Sequence, residues 1–115
     1  MTQKRNSLMV LVAGPYRSGT GDDPAKMAAN VDAMYQTALE VFRAGHLPVT
    51  GEALALPLIE IDGAFDEIFH PIARRLVDRC DAVLRIGGPS QGADEMVARG
   101  RAAGARIVHS VAELP

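Results

Sequence analysis

The run Ala82-Val83-Leu84-Arg85-Ile86 passes directly into Gly87-Gly88-Pro89-Ser90-Gln91-Gly92-Ala93-Asp94-Glu95, and residues 96–103 then carry a helical pattern. A buried strand, a glycine-rich turn and a helix, in that order, make the repeating unit of a parallel α/β sheet. Such a turn exposes backbone N–H groups at the positive end of a helix, which favours phosphate, carboxylate or sugar hydroxyls. Here it also carries two acids, Asp94 and Glu95, which suggests chemistry on a small polar ligand. The bland alternative is that acids in a first helical turn stabilise the helix dipole and do nothing else.

The rest of the chain repeats the alternation. Leu8-Met9-Val10-Leu11-Val12-Ala13 is continuously apolar, as expected of a strand covered on both faces. Residues 14–23 form a polar loop, Pro24 opens a helix with Asp22 or Asp23 as its cap, and Gly45 stops it. Met27, Val31, Met34, Ala38 and Val41 recur at spacings of three and four and give that helix one apolar face. Leu47-Pro48-Val49 reads as a short strand, residues 51–61 as a loop with a helical turn, and Asp62-Gly63 as a break. His70-Pro71 is expected to open a second long helix with Ile72, Leu76 and Cys80 inward, and Arg74, Arg75, Asp78 and Arg79 on a solvated face. Gly104 ends the helix over 96–103, Arg106-Ile107-Val108 forms a last strand, and residues 111–114 a turn of helix. Residues 1–6 are polar and expected to fray. Alternating strands and helices predict an α/β sheet with parallel strands and ligands outside their carboxyl ends. The loops 14–23 and 87–95 are expected to face one shared cleft there.

Composition excludes several classes. The chain has 115 residues, 48% of them hydrophobic, which suits a single domain over 1–115. A net charge of −2 gives no basic footprint for nucleic acid, and 4% aromatic content argues against base-stacking platforms for single strands. The lone cysteine, Cys80, rules out an internal disulfide and reads as a structural thiol. No apolar run reaches the length of a signal core or a membrane span, so the expectation is a cytoplasmic protein without a membrane partner. His46 follows Gly45 at a helix end and reads as a cap. His70 and His109 have no partner spacing. No metal and no cofactor are expected.

The first loop reads Ala13-Gly14-Pro15-Tyr16-Arg17-Ser18-Gly19-Thr20-Gly21. Gly14 allows a sharp turn after the strand, Tyr16 offers a flat face and a phenol, and Arg17 a fork of donors for phosphate or carboxylate. The alternative is a flexible surface loop with an exposed arginine. The loop is neither a dinucleotide fingerprint nor a P-loop, because the required glycine and Gly-Lys-Ser/Thr spacings are missing. In the second loop Ser90 offers a hydroxyl, as a ligand group or a helix cap, and Gly92 permits close approach.

Leu11-Val12-Ala13-Gly14-Pro15-Tyr16, Asn30, Gly45-His46-Leu47-Pro48-Val49, Cys80-Asp81-Ala82-Val83-Leu84 and Ser90-Gln91-Gly92-Ala93 occur in that order. With these motifs the chain resembles the nucleoside 2-deoxyribosyltransferase-like superfamily, which also holds the 2′-deoxynucleoside 5′-phosphate N-hydrolases. Within it the chain is most like small uncharacterised bacterial and phage domains. The resemblance covers nearly the whole chain. It implies a Rossmann-like or flavodoxin-like three-layer sandwich with a mainly parallel sheet of four or five strands. It also implies cleavage of an N-glycosidic bond by a helix-start glutamate that attacks the anomeric carbon, since a carboxylate can stabilise an oxocarbenium-like state and form a sugar ester. Carried over by position, Gly14, Tyr16 and Arg17 would line the sugar or phosphate pocket, and Ser90 and Gly92 would hold the sugar or its 5′ group. Relatives are often homo-oligomers with sites near the interface. Two positions depart from the pattern. The nucleophile's place, four residues after the glycine matching Gly92, holds Met96, with Glu95 one residue and Asp94 two residues earlier. One residue turns a helix by about 100°. Met96 shares helical spacing with Ala93, Gly100 and Ala103 and is expected to face the core. A second family carboxylate falls near Ala73.

These readings leave three functions in competition. The first is an N-glycosidase or deoxyribosyltransferase with Glu95 as nucleophile and Asp94 orienting the sugar or exchanging protons. The second is a nucleotide- or sugar-phosphate-binding module without turnover. The third is a partner domain in which the apolar segment 53–61 forms an oligomer interface.

Overall fold

The computed structural model describes residues 7–115, so the expectation for residues 1–6 lies outside the described residues. Four strands form one parallel sheet: β1 (Met9–Ala13), β2 (Leu47–Val49), β3 (Ala82–Arg85) and β4 (Arg106–Val108), in the order β2-β1-β3-β4. Four helices connect and cover them: α1 (Pro24–Arg43), α2 (Gly51–Asp62), α3 (Phe65–Val77) and α4 (Gln91–Ala102); a short 3-10 turn follows at Val111–Glu113. β1 to β2 moves one way along the sheet and β3 to β4 the other, so crossovers of one hand put their helices on opposite faces. The core divides accordingly. Val10, Val12, Ala82 and Leu84 pack on one side with Met34 and Val41 of α1 and with Leu114. Leu11, Ala13 and Val83 pack on the other with Ala73 and Val77 of α3 and Ala93 and Met96 of α4. Burial on both faces explains why β1 is an unbroken apolar run and β3 is apolar up to its last residue, Arg85. The result is the three-layer α/β sandwich expected, with the flavodoxin-like strand order.

The helices differ from expectation at their starts. α1 begins at Pro24 as read, and the Asp23 carboxylate, not that of Asp22, accepts from the Ala25 N–H at 3.0 Å. Only part of its apolar stripe reaches the sheet: Met34 and Val41 are buried, whereas Met27 and Val31 border a groove shared with Tyr16 and Leu56. A 20-residue helix is about 30 Å long and overhangs strands of three to five residues. The segment read as a loop is the helix α2, capped by Thr50, whose Oγ1 accepts from the Ala53 N–H at 3.0 Å. It has apolar residues on more than one side, so its periodicity is weak, and Pro57 within it removes the donor that would reach the Ala53 carbonyl. α3 begins at Phe65 rather than at His70-Pro71; Pro71 sits inside it. α4 begins at Gln91 rather than Met96, with Ser90 as its cap, because the small residues Gly92 and Ala93 already belong to the helix.

Side-chain contacts lock the strands and helices to one another. The buried His46 accepts at Nδ1 from the Leu8 N–H (3.0 Å), so its proton sits on Nε2, 3.0 Å from the Pro115 backbone oxygen. The His46 side chain therefore ties the start of β1 to Pro115, while its backbone N–H closes the end of α1 on the Val41 carbonyl at 3.2 Å. The Asp81 carboxylate accepts from the Met9 N–H at 2.8 Å. Arg99 of α4 grips Asp78 with two bonds of 2.8 Å, and that guanidinium holds the Asp78 carboxyl below its usual range. Cys80 donates to the Leu76 carbonyl, and burial, with the Asp81 charge second, pushes its thiol up to about 11, which suits a structural thiol.

Candidate functional site

The strand order reverses between β1 and β3, and this switch point is where open parallel sheets bind ligands. Two glycines let the loops at these strand ends cross. A Cβ on Gly14 would lie 3.0 Å from the Ile86 side chain and 3.1 Å from its carbonyl oxygen. Gly87 has φ +77°, and a Cβ there would meet Pro15 at 2.7 Å. With side chains absent at both places, the loops close over the strand ends and leave a cavity of about 350 Å³ beside them, within the usual range for small-molecule sites.

Each residue assigned to binding lines this cavity: Gly14, Tyr16, Arg17, Ser90 and Gly92. The first loop is held by its own polar groups. Thr20 is buried and donates from Oγ1 to the Arg17 carbonyl at 2.6 Å, and Asn30 of α1 donates to the Tyr16 carbonyl at 2.9 Å. That gives Asn30, noted in the sequence only as a motif residue, a physical task. Tyr16 stacks on Phe65 and Phe69 of α3 with centroids 6.0 and 5.9 Å away, and the Arg17 guanidinium lies 4.5 Å from the Phe65 centroid. An aromatic wall flanked by a cation therefore forms one side. On the other side Ser90 caps α4, accepting from the Ala93 N–H at 3.1 Å, which leaves its hydroxyl proton to donate. An added Cβ on Gly92 would meet nothing within 4 Å, so the cavity is open at that point.

The two candidate catalytic acids lie elsewhere. Asp94, its side chain 70% exposed, accepts from Arg85 Nε at 3.1 Å. Arg85 also donates to the Ile86 and Gly88 carbonyls, so it fastens Asp94 to the outside of the turn. Glu95 accepts from Arg74 Nε at 2.9 Å, with both side chains 42% exposed. Neither acid lines the cavity. Arg74, expected on a freely solvated face, is engaged by this pair. Met96 and Ala73, at the positions where the resemblance puts carboxylates, both line the cavity, and Met96 is buried as expected.

Two carboxyl groups do line the cavity, the exposed Asp66 and the buried Glu52, and neither stood out in the sequence. Glu52, the second residue of α2, is only 5% exposed and lines the cavity with Asp66 and His70 of α3. It makes no ion pair and no bond to another side chain among the described residues. Burial raises its pKa from 4.5 to about 7, against a smaller lowering from its own backbone N–H. The helix start favours a carboxylate there, but desolvation outweighs it. Near neutral pH the group therefore exchanges a proton easily. One sequence signal pointed to it: an acid directly after Thr50-Gly51, a helix cap at the end of a strand.

The fold and cavity thus define an α/β domain with a cleft at its switch point. No family model matches the chain, and no curated protein matches it. Among the described residues no helix is long and apolar enough to cross a membrane, and no group of three or more His, Cys, Asp or Glu residues could hold a metal ion.

Proposed function

We propose that this domain binds a nucleoside or nucleotide in the switch-point cleft and does not cleave it through Glu95 or Asp94. The observation that carries the reading is the composition of the cavity wall. Gly14, Tyr16, Arg17, Ser90 and Gly92 converge on it, while Met96 and Ala73 stand where a glycosyl-transferring relative would carry its acids. The aromatic wall suits a flat base, since stacking on an aromatic face is worth about 1–3 kcal/mol per base. Arg17 and the amide-rich start of α4 suit a 5′ phosphate or sugar hydroxyls. The ordered motifs shared with the nucleoside 2-deoxyribosyltransferase-like superfamily support the same ligand class. Thermal-shift screening against deoxynucleosides, ribonucleosides and their 5′-monophosphates tests it. Stabilisation by at least one compound, lost in Arg17→Ala or Tyr16→Ala, is expected; no stabilisation by any compound refutes it.

A second reading is N-glycoside cleavage or 2-deoxyribosyl transfer, and one observation favours it: the cavity holds a buried acid, Glu52, able to protonate a departing base. Incubation of the same panel with the wild-type chain and Glu52→Gln, with release of free base as readout, separates the readings. Release by the wild-type chain alone establishes turnover, and release by neither leaves binding without turnover.

The apolar residues Leu54, Leu58 and Ile61, all exposed and spaced along one side of α2, support a homo-oligomer. Light scattering at micromolar concentration tests this, and a monomer mass contradicts it.

A further inference from the structure

Glu52 has a chemistry that nucleoside binding alone does not use. It is nearly fully buried, it borders the cavity, and no arginine, lysine or histidine pairs with it among the described residues. A buried carboxyl without a charged partner is costly as an anion and cheap as an acid. The acid presents one O–H donor and one C=O acceptor, whereas the carboxylate presents acceptors only. The stacked rings of Tyr16, Phe65 and Phe69 border the same cavity as Glu52, so a planar ring bound there shares the cavity with this carboxyl group.

We propose that Glu52 is the specificity-determining residue of the cleft, reading the ring edge as a neutral carboxylic acid. It thereby selects bases that present an acceptor nitrogen beside an amino donor, as adenine and cytosine do. The inference rests on the nucleoside reading given above. Ionised Glu52 repels such an edge, because its acceptors face a ring acceptor, and it favours the two-donor edge of guanine. Burial brings this change of preference to near neutral pH. The other charged or titratable groups on the cavity wall are Tyr16 and Arg17 of the first loop and Asp66 and His70 of α3; β1 and the start of α4 contribute none. His70 is a second titratable group on the same wall, so the test must separate it from Glu52.

The experiment is calorimetric titration with adenosine and with guanosine at pH 5.5, 7 and 8.5, on the wild-type chain and on Glu52→Gln. Glutamine mimics the acid at every pH, with one acceptor and donors beside it. For the wild-type chain, adenosine affinity is expected to fall about thirtyfold from pH 5.5 to 8.5, and guanosine affinity to hold or rise. In Glu52→Gln adenosine affinity stays within about twofold across the range, because the linkage has been removed. The same decline in the variant assigns the pH dependence to His70 or another group and overturns the inference alone. A parallel decline for guanosine also overturns it. Absence of binding by both nucleosides at every pH, in both proteins, overturns the nucleoside reading and the inference with it. If the variant does not fold, carboxyl carbon resonances of the wild-type chain decide: adenosine must raise the Glu52 titration midpoint, and an unmoved midpoint in saturating adenosine overturns the inference.

Discussion

A buried acid that resists ionisation ties stability to pH, and the size of that tie follows from Glu52. In the unfolded chain its carboxyl loses a proton near 4.5, and in the folded chain near 7. Between these values the folded state holds one more proton than the unfolded state, so stability falls as pH rises, and above about 7 the loss is complete. Each unit of difference is worth about 1.4 kcal/mol, so about two and a half units amount to about 3 kcal/mol. Glu52→Gln keeps the shape and removes the ionisation. Urea unfolding of both proteins at pH 4.5, 5.5, 6.5, 7.5 and 8.5 isolates the effect, because every other titrating group is common to the two. The variant is expected to gain steadily on the wild-type chain between pH 4.5 and 7, and above that to have gained about 3 kcal/mol relative to the difference at pH 4.5. The reasoning concerns this slope and not the absolute offset, since the amide brings its own solvation. A difference that stays constant from pH 4.5 to 8.5 means that Glu52 ionises as readily folded as unfolded, and refutes the argument.

Other residues give sharper contrasts. Glu95→Gln removes a half-exposed pair with Arg74, so it should cost less than about 1 kcal/mol in urea unfolding and leave nucleoside affinity within twofold; a tenfold loss of affinity would bring Glu95 back into the site. Tyr16→Ala should weaken adenosine binding about tenfold or more in calorimetry by removing the stacking wall. Gly100→Ala places a Cβ 2.6 Å from Val83 Cγ2, and overpacking of about 1–3 kcal/mol should exceed the roughly 1 kcal/mol gained in helix propensity, lowering the urea midpoint. His46→Ala leaves the Leu8 N–H without its acceptor and should destabilise the fold by about 1–3 kcal/mol by the same assay.

The sheet was legible because β1 and β3 are buried on both faces and so carry apolar runs, interrupted only at Arg85, each followed by a loop with the glycine its crossing needs. The binding loops were legible for the same reason, and Gly14, Tyr16, Arg17, Ser90 and Gly92 do meet. α2 was not: a helix with apolar residues on more than one side and an internal proline gives no clean period, and Leu54, Leu58 and Ile61 remain exposed on it, Ile61 by 84%. Missing α2 hid Glu52, because a residue placed in a loop gives no reason to expect burial in the cleft. The orientation of Asp94 and Glu95 was hidden by distant partners. Arg85 lies on β3 and Arg74 on α3, and no local pattern announces that these arginines turn the acids away from the cleft.

Nucleoside binding at the switch point is the central claim, and amide chemical-shift mapping tests it most directly. Adenosine and its 5′-monophosphate are titrated into nitrogen-15-labelled protein at pH 6, where Glu52 is mainly in its acid form. Shifts that saturate and cluster at Gly14, Arg17, Glu52, Ser90 and Gly92 are the predicted result. No shifts at millimolar ligand, or shifts gathered on the two outer strands around Leu47 or Val108, contradict it.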